Sequence, residues 1–369
     1  MVKKWIHTVH LILGLSSGIV LFIVAITGCI VAFEEELKSV VYADYYEVKP
    51  TTSTSLSLEK VVDIAQKEYP TINVKNIHVK PLKTSSIEIV FQNDQTVFVN
   101  PYTGVVLGNM NEDEGFFGIA LELHKNLCLG ETGKTITAIS ALLFFILLIS
   151  GIILWWPRKK TQLKQHLVIK RGVNWRKKNF DLHRVLGFYA SWIILFTVLS
   201  GLVWAFDWAE DGLYWITNSK KQPRVEVESA VAQLKETQSI DAIYAHSISH
   251  FPTHKECILQ FPENESGVFR VVFRYADNGF FRRIDNLYFD QYSGKMITKR
   301  LFSKLSTGDQ IRISNINIHT GKALGLTGQL LVFFASLICA SLPITGFLIW
   351  LGKRNLSKNT VRPENQPNP

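Results

Sequence analysis

The chain carries a histidine–glycine pattern on apolar stretches, and the pattern occurs twice. His10 precedes Gly28 by 18 residues, and His183 precedes Gly201 by 18. His124 precedes Gly151 by 27 residues, and His319 precedes Gly346 by 27. Each histidine opens a stretch long enough to cross a bilayer, which needs roughly 20 mostly apolar residues. A repeat at fixed spacing constrains architecture more than any single motif. It predicts one unit, helix–domain–helix, used twice, with an imidazole at the mouth of every membrane helix.

The apolar runs are Val9–Phe33, Thr135–Trp156, Val185–Phe206 and Leu326–Leu351. They divide the chain into a first helix within 1–33, an outward domain with its juxtamembrane segment at 34–134, and a second helix at 135–156. A basic loop at 157–182 and a third helix at 183–206 follow. A second outward domain at 207–325, a fourth helix at 326–351 and a tail at 352–369 complete it. Lys3 and Lys4 give the first run the look of a secretion signal. The run is too long for one, no A-x-A cleavage site follows, and the same helix recurs at Val185–Phe206, so a retained anchor is expected. The tail Arg354–Pro369 reads as polar and disordered.

Orientation follows from lysine and arginine near the span ends. The loop between spans two and three holds Arg158, Lys159, Lys160, Lys164, Lys170, Arg171, Arg176, Lys177 and Lys178, against one acid, Asp181. Lys353 and Arg354 flank the last span. Both termini and this loop are therefore expected in the cytoplasm, with both long connections outside. The net charge of +9 reads as topology and not as nucleic-acid binding. Trp155, Trp156, Trp204, Trp208 and Trp350 suit interfacial belts. Cys29, Cys128, Cys257 and Cys339 are scattered, with no CxxC and no CxxCH, which argues against a disulfide framework, structural zinc and covalent haem.

The outward segments also repeat. Leu58–Tyr69 has helical periodicity, and alternating strands are predicted near Ile72–Val79, Ser86–Phe91 and Gln95–Val99. In the second segment a helix is predicted over Glu228–Gln238, with strands near Cys257–Phe261, Val268–Tyr275 and Asn286–Phe289. Each set ends in a turn of the form Tyr–Ser/Thr–Gly, at Tyr102–Gly104 and Tyr292–Gly294, where glycine supplies a positive φ. Each segment is thus expected to be a small α+β unit. The fold class is membrane α-helical: four transmembrane helices in a duplicated helix–domain–helix unit, with two small α+β extracytoplasmic domains.

These features resemble the PepSY-associated transmembrane family, with PepSY-like outer domains. The resemblance rests on HLILG at His10–Gly14, ITG at Ile26–Gly28, LHKNLCLG at Leu123–Gly130 and ISG at Ile149–Gly151. In the second half it rests on DLHRVLG at Asp181–Gly187, LSG at Leu199–Gly201, IHTGKALG at Ile318–Gly325 and ITG at Ile344–Gly346. It covers nearly the whole chain. Members include iron-regulated membrane proteins, and some are similar to inner-membrane ferric-siderophore reductases that use b-type haem. The resemblance therefore implies iron uptake, haem b and a bacterial cytoplasmic membrane.

Intramembrane histidines are rare and usually functional. The topology puts His10 and His183 at the cytoplasmic side and His124 and His319 at the outer side. Two histidines from different helices can clamp one haem iron, and two pairs predict two haems per chain. Gly14 and Gly187, four residues after His10 and His183, share their helix face and remove the side chain where a flat macrocycle would lie. Gly28, five turns from His10, shares that face too. Small residues also let helices approach closely, which is the structural alternative for the glycines. His7 matches Phe180 in the second half and ranks lower. His78 and His166 have no partner pattern and are expected in solvent. His246, His250 and His254 could bind metal, but Pro252 breaks any helix through all three. Gly130–Thr135 resembles the end of a P-loop but lacks its first glycine, which is Cys128 here.

The leading expectation is an electron conduit that takes electrons from an unidentified cytosolic reductase or from quinol. It would reduce an extracytoplasmic acceptor, a ferric siderophore or other chelate, with no general acid, base or nucleophile required. The alternatives are a non-enzymatic PepSY module that binds peptides or partners, and an iron-uptake accessory subunit.

Overall fold

The computed structural model describes residues 1–51, 54–223, 227–229, 239–276 and 279–359. Its helices are α1 (Val2–Val31), α2 (Glu34–Val41), α3 (Ala43–Tyr46), α4 (Leu58–Gln66), α5 (Phe116–Asn126) and α6 (Gly130–Trp155). They continue with α7 (Leu163–His166), α8 (Trp175–Ala205), α9 (Asp207–Ile216), α10 (Ile240–His250), α11 (Thr307–Thr320) and α12 (Gly325–Asn359). The strands are β1 (Val74–Val79), β2 (Ile87–Phe91), β3 (Gln95–Val99), β4 (Val106–Asn111), β5 (Glu256–Gln260), β6 (Val268–Arg274), β7 (Ile284–Asp290) and β8 (Met296–Arg300).

Four segments are long and apolar enough to cross a membrane: Val2–Val31, Gly130–Trp155, Trp175–Ala205 and Lys322–Arg354. The chain is thus a multi-pass membrane protein. Around the bundle, α1 packs on α6 and α12, and α8 packs on α6 and α12. The ring encloses a cavity beside a small packed core that includes Leu148, Ile194, Leu202 and Cys339. Each helix begins or ends beyond its apolar run. α1 starts at Val2, before Val9, and α12 runs to Asn359, so the first part of the expected disordered tail is helical. The rest of that tail lies outside the described residues.

The strands form one antiparallel sheet in the order β4-β3-β2-β1-β5-β6-β7-β8. Two small units were expected; the structure joins them edge to edge through β1 and β5. Paired edges leave fewer open backbone donors and acceptors than two separate four-stranded sheets would. One row of side chains crosses the seam: Val97, Ile89, Ile77, Leu259, Val271 and Leu287 stand opposite one another in register. All six are buried. Each contributes roughly 1.5–3 kcal/mol relative to exposure. Helix α4 covers the row with Leu58, Val61 and Ala65, and α10 covers it with Ile240 and Ile243. The halves are stitched again at α4: the Asp241 carboxylate of α10 accepts from the backbone N–H of Leu58 at 2.7 Å and of Glu59 at 3.2 Å. A carboxylate there satisfies free N–H groups of the first helical turn.

The helix expected over Glu228–Gln238 falls on residues of which 230–238 lie outside the described residues; Glu228 and Ser229 are not helical. The helix that covers the second half is α10. His78, expected in solvent, is half-buried at the seam. Its Nδ1 lies 3.1 Å from the Glu256 carboxylate, which also accepts from Arg274 Nη1 at 2.9 Å. His166 is likewise engaged, with Nδ1 donating to the Trp155 carbonyl at 2.8 Å while Trp155 Nε1 donates back to the His166 carbonyl at 3.2 Å. Trp155 therefore faces protein rather than lipid. It is buried and stacks on Phe188 with ring centroids 3.5 Å apart.

Burial alone would raise the Glu256 carboxyl, but His78, Arg274 and Lys80 outweigh it and hold the group at about 2. A depressed carboxyl adds stability above its unfolded value, and that stability is lost as pH falls through the folded value. Glu256→Gln should therefore destabilise the sheet by on the order of 2 kcal/mol near neutral pH. The gap from the parent protein should close as pH drops from 4.5 towards about 2. Thermal melts of both proteins across that range measure it; a gap independent of pH would contradict the seam assignment.

Candidate functional site

The four repeated histidines meet in two pairs inside the helix ring. His10 of α1 and His183 of α8 have ring centroids 6.5 Å apart with planes at 90°. His124 of α5 and His319 of α11 have centroids 6.0 Å apart with planes at 75°. The first pair sits at the end of the bundle that faces the basic loop, and the second at the end that faces the sheet. His10 and Gly28 mark those two levels on α1, and 18 helical residues rise roughly 27 Å.

Each ring rests on a glycine of a different helix. A Cβ at Gly151 would lie 3.4 Å from His10 Cε1, at Gly346 3.3 Å from His183 Cε1, at Gly28 3.0 Å from His124 Cε1, and at Gly201 3.5 Å from His319 Cε1. Gly28 thus seats His124, and it lines the same cavity as His10, the shared face that the spacing suggested. The residue before each glycine is Thr27, Ser150, Ser200 or Thr345, and its hydroxyl meets the Nδ1 of the seated ring. The distances are 2.8 Å for His10 and Ser150, 2.9 Å for His183 and Thr345, 2.9 Å for His319 and Ser200, and 3.3 Å for His124 and Thr27.

The tautomer follows from where the hydroxyl protons go. Thr27, Ser150, Ser200 and Thr345 all donate to the carbonyl three residues back, those of Val24, Leu147, Thr197 and Leu342. Each hydroxyl oxygen is then free to accept, which assigns the proton to Nδ1. The Val24 carbonyl accepts from His124 Nδ1 at 2.9 Å and the Thr197 carbonyl from His319 Nδ1 at 3.0 Å, which requires the same tautomer. Every Nε2 keeps its lone pair. This is the arrangement by which a neighbouring acceptor prepares a histidine for metal. Burial lowers the titration of both sheet-side rings, His319 to about 4, where the neighbouring His124 adds to the effect and the Thr197 carbonyl opposes it. Both are neutral at physiological pH.

A cavity of about 460 Å³ runs through the ring and touches all four histidines. Gly14 and Gly187 line it. A Cβ there would meet only Leu147 at 3.8 Å and Leu342 at 3.5 Å, ordinary contacts, so helix packing does not require these glycines. His7 lines the loop-side mouth with Arg184 and Lys353 and has no paired imidazole. Elsewhere, the rings of His246 and His250 lie 4.7 Å apart and tilted by 40°, while His254 bonds the Phe251 carbonyl and packs on Phe273. Among the described residues, no group of three or more His, Cys, Asp or Glu is gathered for a metal ion.

Two features at this site carry no sequence signal that periodicity could find. Asn179 and Asn315 each lie four residues before a histidine, and donate to the carbonyls of Thr345 at 3.0 Å and Ser200 at 2.8 Å. They clamp the second-half histidine helices to their seats; the equivalent positions are Ile6 and Ala120. Trp204, half-exposed, places its ring 5.1 Å from that of His319. The P-loop-like segment proves to be a corner. A Cβ at Gly133 would strike the Asn126 carbonyl, and one at Gly328 the Gly321 carbonyl, so both glycines let the histidine-bearing helix fold back onto the next span.

A family model described as the PepSY-associated TM region matches residues 7–353. The chain belongs to the PepSY-associated transmembrane family. Among the curated proteins, none matched it. In this family member, two neutral imidazoles bonded to one metal from opposite sides at about 2.0–2.1 Å would have ring centroids roughly 6 Å apart. The observed separations fit that requirement, and the glycine-lined apolar cavity fits a flat group around such a metal.

The pairing is testable without any cofactor. In a background lacking the free thiols Cys29, Cys128, Cys257 and Cys339, His10→Cys with His183→Cys should cross-link with a short bis-maleimide. His124→Cys with His319→Cys should do the same, and His10→Cys with His319→Cys should not. Equal cross-linking of the mixed pair would contradict the arrangement.

Proposed function

We propose that this chain is a haem-containing transmembrane electron-transfer protein that reduces an extracytoplasmic acceptor, ferric iron in a siderophore or other chelate. The observation that carries this reading is the set of four imidazoles, fixed with Nδ1 protonated and meeting two by two at 6.5 and 6.0 Å. Haem b supplies one-electron iron chemistry whose potential follows its axial ligands and burial.

In this reading His10 and His183 hold one haem and His124 and His319 the other. Gly14 and Gly187 leave room for the first ring. Arg184 and Lys353, at the loop-side mouth, are the cations available to its carboxylates. The lining around the imidazoles is mostly apolar. A vertical separation of roughly 27 Å puts one pair near each face of a hydrocarbon core about 30 Å thick. The basic loop, Lys353 and Arg354 favour a cytoplasmic loop side in a bacterial inner membrane, with the sheet outside. The donor is then a cytosolic reductase or quinol. The mirrored strand order and the four repeated histidine seats support an origin of the two halves by duplication.

Protein purified in detergent from haem-replete cells should show a low-spin b-type spectrum, oxidised and dithionite-reduced, with two haems per chain. His124→Ala should retain one haem and lose ferric-chelate reduction. Colourless parent protein would overturn the reading in favour of a partner-binding PepSY protein.

The seats give a finer prediction. Thr345→Val keeps the side-chain volume and removes the hydroxyl that meets His183 Nδ1 at 2.9 Å. It should weaken retention of the loop-side haem by about 10–100-fold while leaving the sheet-side haem in place. Unchanged retention, measured by haem transfer to apomyoglobin, would remove the hydroxyl from the account.

A further inference from the structure

A second cavity, of about 180 Å³, is polar and lies where the sheet meets the bundle. Its walls include Glu35 and Glu36 of α2, Lys255 just before β5, Lys322 just after α11, and Gln329 of α12. These residues come from the two segments that carry the sheet-side histidine site. Gln329 is buried, and its Nε2 donates to the Ala32 carbonyl at 3.2 Å and to Glu36 Oε1 at 2.9 Å. Ala32 lies one helical turn, roughly 6 Å, beyond Gly28, and Gly28 seats His124. Lys322 follows His319 by three residues. The cavity therefore lies at the same end of the bundle as the sheet-side pair.

Its charges converge on one point. Lys322 Nζ is 3.0 Å and Lys255 Nζ 3.8 Å from the same Glu35 oxygen, Oε2. Burial would raise the Glu35 carboxyl, but Lys322, Lys255 and Arg282 outweigh it and hold it below the usual carboxylate range. Three elements remote in sequence thus aim cations at a single carboxylate. The Glu35 and Lys255 side chains are 63% and 56% exposed, so their pairing is screened and weak. Gln329 donates to Glu36, so Glu35 is the carboxylate that the two lysines hold.

We propose that this cavity docks a carboxylate-bearing polyanionic chelate, with Lys255 and Lys322 binding a carboxylate that takes the place of Glu35. The identity of that chelate as the electron acceptor rests on the reading above; the binding itself does not. Glu35 acts as a built-in competitor. A lone carboxylate merely exchanges one weak contact for another. A ligand with several carboxylates keeps further negative charge within reach of Lys255, Lys322 and Arg282, and so displaces Glu35. The preference should fade with added salt.

The test uses gallium(III) citrate, which is not reduced, in equilibrium dialysis against the full-length protein in detergent. The parent protein should bind it. Lys255→Ala with Lys322→Ala should weaken binding by about tenfold or more. Glu35→Gln, which removes the competing charge and keeps the shape, should tighten it severalfold. Parent protein that binds no gallium citrate, a double lysine variant that binds as the parent does, or a Glu35→Gln variant that binds no tighter would each overturn the proposal. Should the lysine pair fail to fold, Glu35→Gln alone decides, because only release of a competing carboxylate predicts a gain. Gallium binding does not depend on haem, so colourless protein that binds the chelate would sink the electron-transfer reading and leave this site standing.

Discussion

A neutral imidazole buried among membrane helices needs a partner for its N–H, and in this chain that need organises the bundle. Each Nδ1–H is satisfied by a hydroxyl and, for His124 and His319, directly by a carbonyl of a neighbouring span. The partner hydroxyl always precedes a glycine, and at Gly28 and Gly346 a Cβ would crowd the seated ring at 3.0 and 3.3 Å. One dipeptide, Ser/Thr–Gly, therefore does two jobs: it makes the space and supplies the acceptor. An unsatisfied polar group in hydrocarbon costs several kcal/mol, so the four seats fix which helices must be neighbours. α1 must touch α6 to seat His10, and α8 must touch α12 to seat His183. The ring of helices and the cavity within it follow.

The two halves are alike in plan but not in support. Asn179 and Asn315 tie the second-half histidine helices to their seats, while the first half has Ile6 and Ala120 there. α11 is also anchored towards the sheet. Arg312 pairs with Glu210, Tyr214 donates to Asp309 at 2.8 Å, and the Ser314 hydroxyl accepts from the Arg282 backbone at 2.9 Å. His319 is thus coupled to the sheet side by polar contacts that, among the described residues, the helix of His124 lacks. Trp204 adds an exposed aromatic face beside His319, where the matching first-half residue is Val31. The two sites therefore differ in the polar contacts that brace them and in the aromatic ring beside them.

Much of this was legible in the sequence because the signals were periodic. Hydropathy located all four spans, and alternation located six of the eight strands, from Val74 to Val79 and from Val268 to Arg274 among others. The edge strands β4 and β8, VLGNMN and MITKR, are too polar to alternate, since only one side of each has a neighbour. α10 escaped because IDAIYAHSISH mixes its buried Ile240, Ile243 and Ser247 with polar residues at weak amphipathic contrast. The spacing of His10, His124, His183 and His319 pointed to four repeated imidazoles. It could not show that Gly28 belongs to His124, since a seat is a relation between helices remote in sequence. The joining of β1 to β5 was hidden for the same reason: Ile77 and Leu259 read as ordinary core positions until the register puts them opposite each other.

The most direct measurement is a cryo-EM map of the full-length protein in a lipid nanodisc, at a resolution that shows imidazole rings. The account predicts a flat, iron-centred density between His10 and His183 and a second between His124 and His319, with each Nδ1 side of the ring against its Ser/Thr–Gly seat. Rings packed directly against one another with no density between them, or an Nδ1 facing its opposite histidine rather than its seat, would contradict it.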